Sequence, residues 1–203
     1  MTAVQSVRVE PVQPGDLPHL LTVCDVCPLR HDVPPGTGEA WVVAAAQTFG
    51  FCGVRARIGA ETVGQILISP PLHVPVRGPY ASGGVSPDAA VILHLYIAPD
   101  HRHERVGRRM IEHLAGLLVR RRVAGIEVRA SRVGATCTAP PAGWLASRGF
   151  RIVRDDPLQL RMRMDLHATR AWWPDLHAVQ EEIRRLVGRP APGPEPASRE
   201  RTP

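Results

Sequence analysis

The stretch from Ala90 to Arg121, AVILHLYIAPDHRHERVGRRMIEHLAGLLVRR, decides how the rest of the chain is understood. Val91 to Ile97 is an almost unbroken apolar run, the pattern of a strand covered on both faces. Pro99 and Asp100 end it, an Arg- and His-rich loop follows, and Gly107 opens a helix. At helical spacing Val106, Met110, Ile111, Leu114, Leu117 and Leu118 share one face, while Arg108, Arg109, Glu112 and His113 turn outward. A buried strand running straight into a helix leaves several backbone N–H groups free at the loop, where the helix dipole is positive. Phosphate binds at such a place. Arg102, Arg105, Arg108 and Arg109 add positive charge around it.

Working outward, 203 residues suit one domain with a substantial core and a terminal extension. No segment approaches the roughly 20 apolar residues of a membrane span. The start, MTAVQSVRVEPV, lacks the apolar block of a signal peptide, so a cytoplasmic location is expected. All 25 basic residues are Arg, and the net charge of +6 raises the question of nucleic acid. The Arg residues are dispersed and aromatics make up only 4%, which leaves no stacking platform; neither nucleic acid nor membrane is the expected partner.

Taken in order, Val4 to Val9 alternates as a first strand, and Asp16 with Pro18 starts a helix carrying Leu17, Leu20, Leu21 and Cys24 that stops at Pro28. Glu39 to Phe49 is a second helix ending at Gly50. Phe51–Ile58 and Thr62–Ser69 are strands about the turn Gly59-Ala60-Glu61, and residues 70–88 make a long Pro/Gly-rich connection. After the central strand and helix come the strand Ile126–Ala130, a short helix between Pro141 and Gly149, and a strand from Phe150 to Val153. Leu158, Leu160, Met162, Met164 and Leu166 then alternate with polar residues, a strand with one wet face. Residues 171–188 predict a terminal helix with an apolar stripe of Leu176, Val179, Ile183, Leu186 and Val187. It docks on its own domain or, with Trp172 and Trp173, on a second copy, leaving monomer and homodimer both open. Residues 189–203 are an expected disordered tail.

Leu95-Tyr96-Ile97-Ala98-Pro99 followed by Arg102-His103-Glu104-Arg105-Val106-Gly107 resembles the acyl-CoA loop of the GNAT superfamily of N-acyltransferases. That loop reads Arg or Gln, two residues, Gly, one residue, then Gly or Ala. Arg102 and Gly107 match, and Arg105 stands where the first Gly is expected. The resemblance covers roughly residues 4–166, within a domain set at 1–170, and is similar in its C-terminal Trp-Trp-Pro-Asp to an actinobacterial branch. It implies an α/β (α+β) fold with a mixed, mostly antiparallel central sheet flanked by helices. It implies acetyl-CoA as co-substrate and an amine, small molecule or protein lysine, as acceptor, with direct transfer in a ternary complex. Arg102 through Arg109, with His103, Glu104, Val106 and Gly107 among them, would hold the pyrophosphate, and Tyr96 and Ile97 would offer backbone N–H groups to the thioester. Pro28–Thr37 and Asp155-Asp156-Pro157 would lie near the acceptor, the paired Asp favouring a cationic amine. Trp144 through Gly149-Phe150 fits a second family segment, in which the residue four before the Gly is Tyr; here it is Leu145, which cannot protonate a departing thiolate. A non-catalytic acyl-CoA-binding module is the alternative those two departures suggest.

His94, on the central strand, is a candidate proton acceptor or a hydrogen-bonded core residue. Cys137 is a candidate proton donor or a structural thiol. Cys24 and Cys27 form a C-x-x-C, but the second local pair that a zinc site needs is missing, and no metal is assigned.

Overall fold

The computed structural model describes residues 6–16, 38–74, 84–102, 105–134, 136–155 and 160–166. Within them seven strands form one sheet: β1 (Arg8–Val12), β2 (Gly53–Ile58), β3 (Glu61–Ser69), β4 (Ala89–Ile97), β5 (Gly125–Ala130), β6 (Arg151–Asp155) and β7 (Leu160–Asp165). The helices are α1 (Gly38–Phe49), α2 (Val106–Arg120) and the short α3 (Ala142–Ala146). Strand order is β1-β2-β3-β4-β5-β7-β6, and the β4–β5 pair alone is parallel. The mixed, mostly antiparallel sheet flanked by helices is therefore as expected. The predicted helix after Asp16 and all residues after Leu166, including the terminal helix and tail, lie outside the described residues.

Each element follows from its side chains. In α1 the Ala-rich sequence favours helix. Trp41, Val42, Ala45 and Phe49 bury one side of it, and Gly50 ends it at φ +82 with its N–H on the Ala46 carbonyl. In α2 Val106, Met110, Ile111, Leu114 and Leu118 are buried, each removal from water contributing about 1.5–3 kcal/mol. The approach of α2 to the sheet is close at Gly64, where a Cβ would come within 2.9 Å of Met110 Cε and 3.2 Å of Val106 Cγ1. Residue 64 has no room for a side chain.

Two expectations change. Among the described residues the first strand is Arg8–Val12, running three residues past the expected end at Val9: Val12 is fully buried and its carbonyl accepts the Cys52 N–H, which fixes the pairing with β2. Pro11 obscured this in the sequence, and is tolerated because β1 is an edge strand. The second concerns the face of β7 predicted to be wet. Arg163 there is only 9% exposed and meets the fully buried Glu127 of β5. Arg163 also binds both oxygens of Asp88 at 2.9 Å and Asp165 at 2.6 Å, while Arg161 lies 3.4 Å from Glu127. Charge this far from water persists only when paired, so β7 carries its polar row inward onto a carboxylate.

Arg163 holds the Asp88 carboxyl below its usual range, and Arg163 with Arg151 does the same for Asp165. Their folded pKa values lie below the unfolded ones. Their contribution is thus complete above about pH 4 and disappears as pH falls through the lowered folded values. Thermal midpoints should stay level from pH 7 to 5 and drop below about 4. Arg163→Met should cost about 3–5 kcal/mol in urea unfolding, because Glu127 loses half of its pairing; a loss under 1 kcal/mol would contradict this account of the cluster.

Candidate active site

The site begins with an irregularity in β4. Against β3, His94 pairs with Leu67 and Ile92 with Ile68, so Leu93 is an extra residue, a bulge. Bulges bend a strand and increase its twist. The parallel ladder with β5 runs from Ala89↔Gly125 to Ile92↔Val128 and stops there, while β4 continues to Ile97. The two strands have parted. Ala98 N–H donates to Val63 O on the β3 side, so by alternation the N–H groups of Leu95 and Ile97 point toward the opening. That of Tyr96 belongs to the β3 ladder opposite Gln65. Of the two amides expected at the thioester, the backbone presents Ile97, and Leu95 joins it in place of Tyr96.

Beyond β4 the chain makes a 3-10 turn, Pro99–His101, and reaches Arg105, which caps α2 at φ 60, ψ 14. This is the left-handed conformation that glycine adopts freely and that costs an L residue roughly 1–2 kcal/mol. Arg105 thus takes the glycine-like backbone of the position where the resembled loop has Gly, and the residue is exposed. The first helical hydrogen bond runs from Arg109 N–H to Arg105 O, leaving the earlier amides of α2 without helical acceptors. Arg102 is exposed and donates from Nε to Ile97 O at 3.4 Å. Arg108 is tied to Glu112 at 2.7 Å, and Arg109 reaches the Val7 carbonyl at 3.3 Å. Arg102 and Arg105 are thus the guanidinium groups left to the loop. His103 and Glu104 lie outside the described residues.

Gly107 also has a packing role. A Cβ there would come within 2.7 Å of Ile97 Cδ1 and 2.8 Å of the Trp144 ring. It meets the packing behind the loop, where α3 lies over the start of α2.

On the opposite face of the sheet from α2, His94 is buried and its ring lies 6.4 Å from that of half-buried Tyr96. Gln65 Nε2 stands 3.4 Å from His94 Nδ1. The contact ties the ring of β4 to the side-chain amide of β3.

Cys137 is half-buried beside the opening, its carbonyl accepting Leu95 N–H at 2.6 Å. Cys52 is fully buried, which pushes its thiol up to about 11. Leu145 has no exposure and belongs to the core. Asp155 ends β6 in an ion pair with Arg132, so its charge is already answered; Asp156 is not described. Cys24, Cys27, His31 and Pro28–Thr37 also lie outside the described residues, among which no three His, Cys, Asp or Glu side chains gather as a metal set. Sequence reasoning missed the Glu127–Arg161–Arg163 cluster. Its signal was a lone Glu inside an apolar strand, with two Arg at period two on another.

The acetyltransferase (GNAT) family profile matches residues 24–136, more than half of the chain. No curated protein sequence matches. Among solved structures, PaiA N-acetyltransferase from Thermoplasma acidophilum, in complex with coenzyme A, superposes with TM-score 0.52 at 13% identity over 79% of this chain and 99% of that one. A putative GNAT acetyltransferase from Desulfovibrio desulfuricans gives 0.53 at 15% identity, again over 79% and 99%. At such identities the likeness concerns the fold.

Because Leu145 fills the core, Leu145→Tyr is not the neutral exchange its position in the motif suggests. Overpacking should cost about 1–3 kcal/mol in chemical unfolding, as should Gly107→Val, which presses on Ile97 and Trp144. An unchanged unfolding midpoint in either variant would contradict the packing described.

Proposed function

The chain belongs to the acetyltransferase (GNAT) family, and from that premise we propose that it moves an acetyl group from acetyl-CoA to a primary amine, in a ternary complex and without an acetylated enzyme. One observation carries the reading. The β4–β5 ladder stops at Ile92↔Val128 while β4 runs on, its Leu95 and Ile97 amides turned away from β3, into a helix N-terminus flanked by Arg102 and Arg105.

The free amides at the start of α2, with Arg102 and Arg105, suit the pyrophosphate. The Ile97 N–H suits a thioester carbonyl, where a preformed donor stabilises the negative charge that develops on oxygen. The uncharged amine forms the new C–N bond as the C–S bond breaks, and the proton leaving nitrogen ends on the CoA sulfur. The contact of the Cys137 carbonyl with Leu95 at the opening supports giving its thiol the relay of that proton to sulfur, a role that the core residue Leu145 cannot take. His94, its Nδ1 occupied by Gln65, is given no proton to carry. Arg132 already answers Asp155, so the amine acceptor is not assigned a second cationic group.

The acyl-CoA-binding module without turnover remains the second reading, favoured by the buried Leu145 and by Arg105 at positive φ. Free CoA release over a panel of polyamines, aminoglycosides, amino acids and lysine peptides separates the two: release with any of them supports transfer, and none supports the module.

Acetyl-CoA at a hundredfold excess over Kd should stabilise the fold by about 2.7 kcal/mol. No melting shift at millimolar acetyl-CoA would rule out both readings. Arg105→Gly relieves the backbone and removes an outward guanidinium suited to the 3′-phosphate of CoA. It should bind dephospho-CoA about as well as wild type and lose roughly 1.5–3 kcal/mol toward CoA itself. Tighter binding of both would mean that Arg105 obstructs the loop. Cys137→Ala should lower turnover more than it changes acetyl-CoA binding, and an unaffected rate would remove the thiol from the mechanism.

A further inference from the structure

The opening beside β4 is crossed by another part of the chain. Leu95 N–H donates to the carbonyl of Cys137 at 2.6 Å, just past the point where β5 leaves β4. Cys137 sits in a tight turn: Thr136 N–H donates to Ala139 O at 3.1 Å, and Ala139 N–H returns a bond of 3.0 Å to Thr136 Oγ1. The base of this loop is pinned to the end of β5. Ser131 N–H donates to Pro140 O, and Ala142 N–H to Ser131 O. Its outer limb is tied sideways, by the ion pair between Arg132 and Asp155 of β6.

We propose that the turn Thr136–Ala139 is a strap closed across the thioester site, and that the Arg132–Asp155 pair is the latch that keeps it closed. The inference rests on the reading of the β4–β5 opening given above. A main-chain N–H in a cleft needs an acceptor, and the Cys137 carbonyl supplies one. A thioester oxygen seeking the Leu95 amide competes with that carbonyl, so the strap must lift before both amides of the open edge can serve the co-substrate. The closure is held by that main-chain hydrogen bond, by the exposed ion pair and by the burial of Thr138 and Ala139, so the ion pair sets only a share of it. The apparent affinity for CoA is then the intrinsic affinity reduced by the fraction of molecules with the strap open.

Cys137 reports that fraction directly. Its half-buried thiol becomes more reachable when the turn lifts, whereas buried Cys52, with its thiol pushed up to about 11, is an internal control. Alkylation by iodoacetamide, followed at Cys137 by peptide mass mapping without ligand, should be faster in Arg132→Ala by about two- to five-fold, the share an exposed ion pair holds. CoA should bind that variant more tightly by the same factor, by calorimetry. The charge-swapped double variant, Arg132→Asp with Asp155→Arg, should return both quantities to wild-type values. Equal Cys137 alkylation in wild type and Arg132→Ala overturns the latch. Faster alkylation with unchanged or weaker CoA binding overturns the placement of the strap on the site. Should wild type give no melting shift with CoA, the proposed function fails instead, and the alkylation comparison still decides the latch.

Discussion

The separation of β4 from β5 is the constraint on which the remaining features depend. It starts at a single inserted residue, Leu93, which shifts the register with β3 and bends the strand away after Ile92. Because the backbone groups beyond that point are not spent on β5, Leu95 and Ile97 face an opening. Without the bulge, β4 would continue its ladder and the amides would be consumed within the sheet.

Packing on both sides holds the separation in place. Gly64 and Gly107 let α2 lie close against β3 and beneath Trp144, so that the start of α2 and the end of β4 meet at one point. Across the sheet, the Glu127–Arg163–Asp88 cluster ties β5 and β7 to the segment leading into β4. Strands that part at one end are thus fastened at the other. Arg105 adds a local conformational cost at the turn into α2, where a glycine would add none.

Much of this was legible in the sequence, and the reasons for the rest are physical. The apolar run of β4, the stripe of α2 and the alternation of β7 are patterns of period one, 3.6 and two, carried by neighbours in the chain. The bulge was invisible because Leu93 is one of six apolar residues among the seven from Val91 to Ile97. The role of Arg163 was invisible because Glu127 and Asp88, its partners, lie on other segments. Leu145 stands where the resembled segment has Tyr, and the motif does not say that the side chain faces the core. The contact of Cys137 with Leu95 joins residues 42 positions apart in the numbering, which no local pattern encodes.

Backbone amide NMR during a titration with acetyl-CoA tests most directly the claim that the open edge of β4 receives the thioester. The account predicts that the largest shifts fall on the amides of Leu95 and Ile97 and on those opening α2, from Val106 to Arg108. Binding that leaves these signals in place while others move would contradict it.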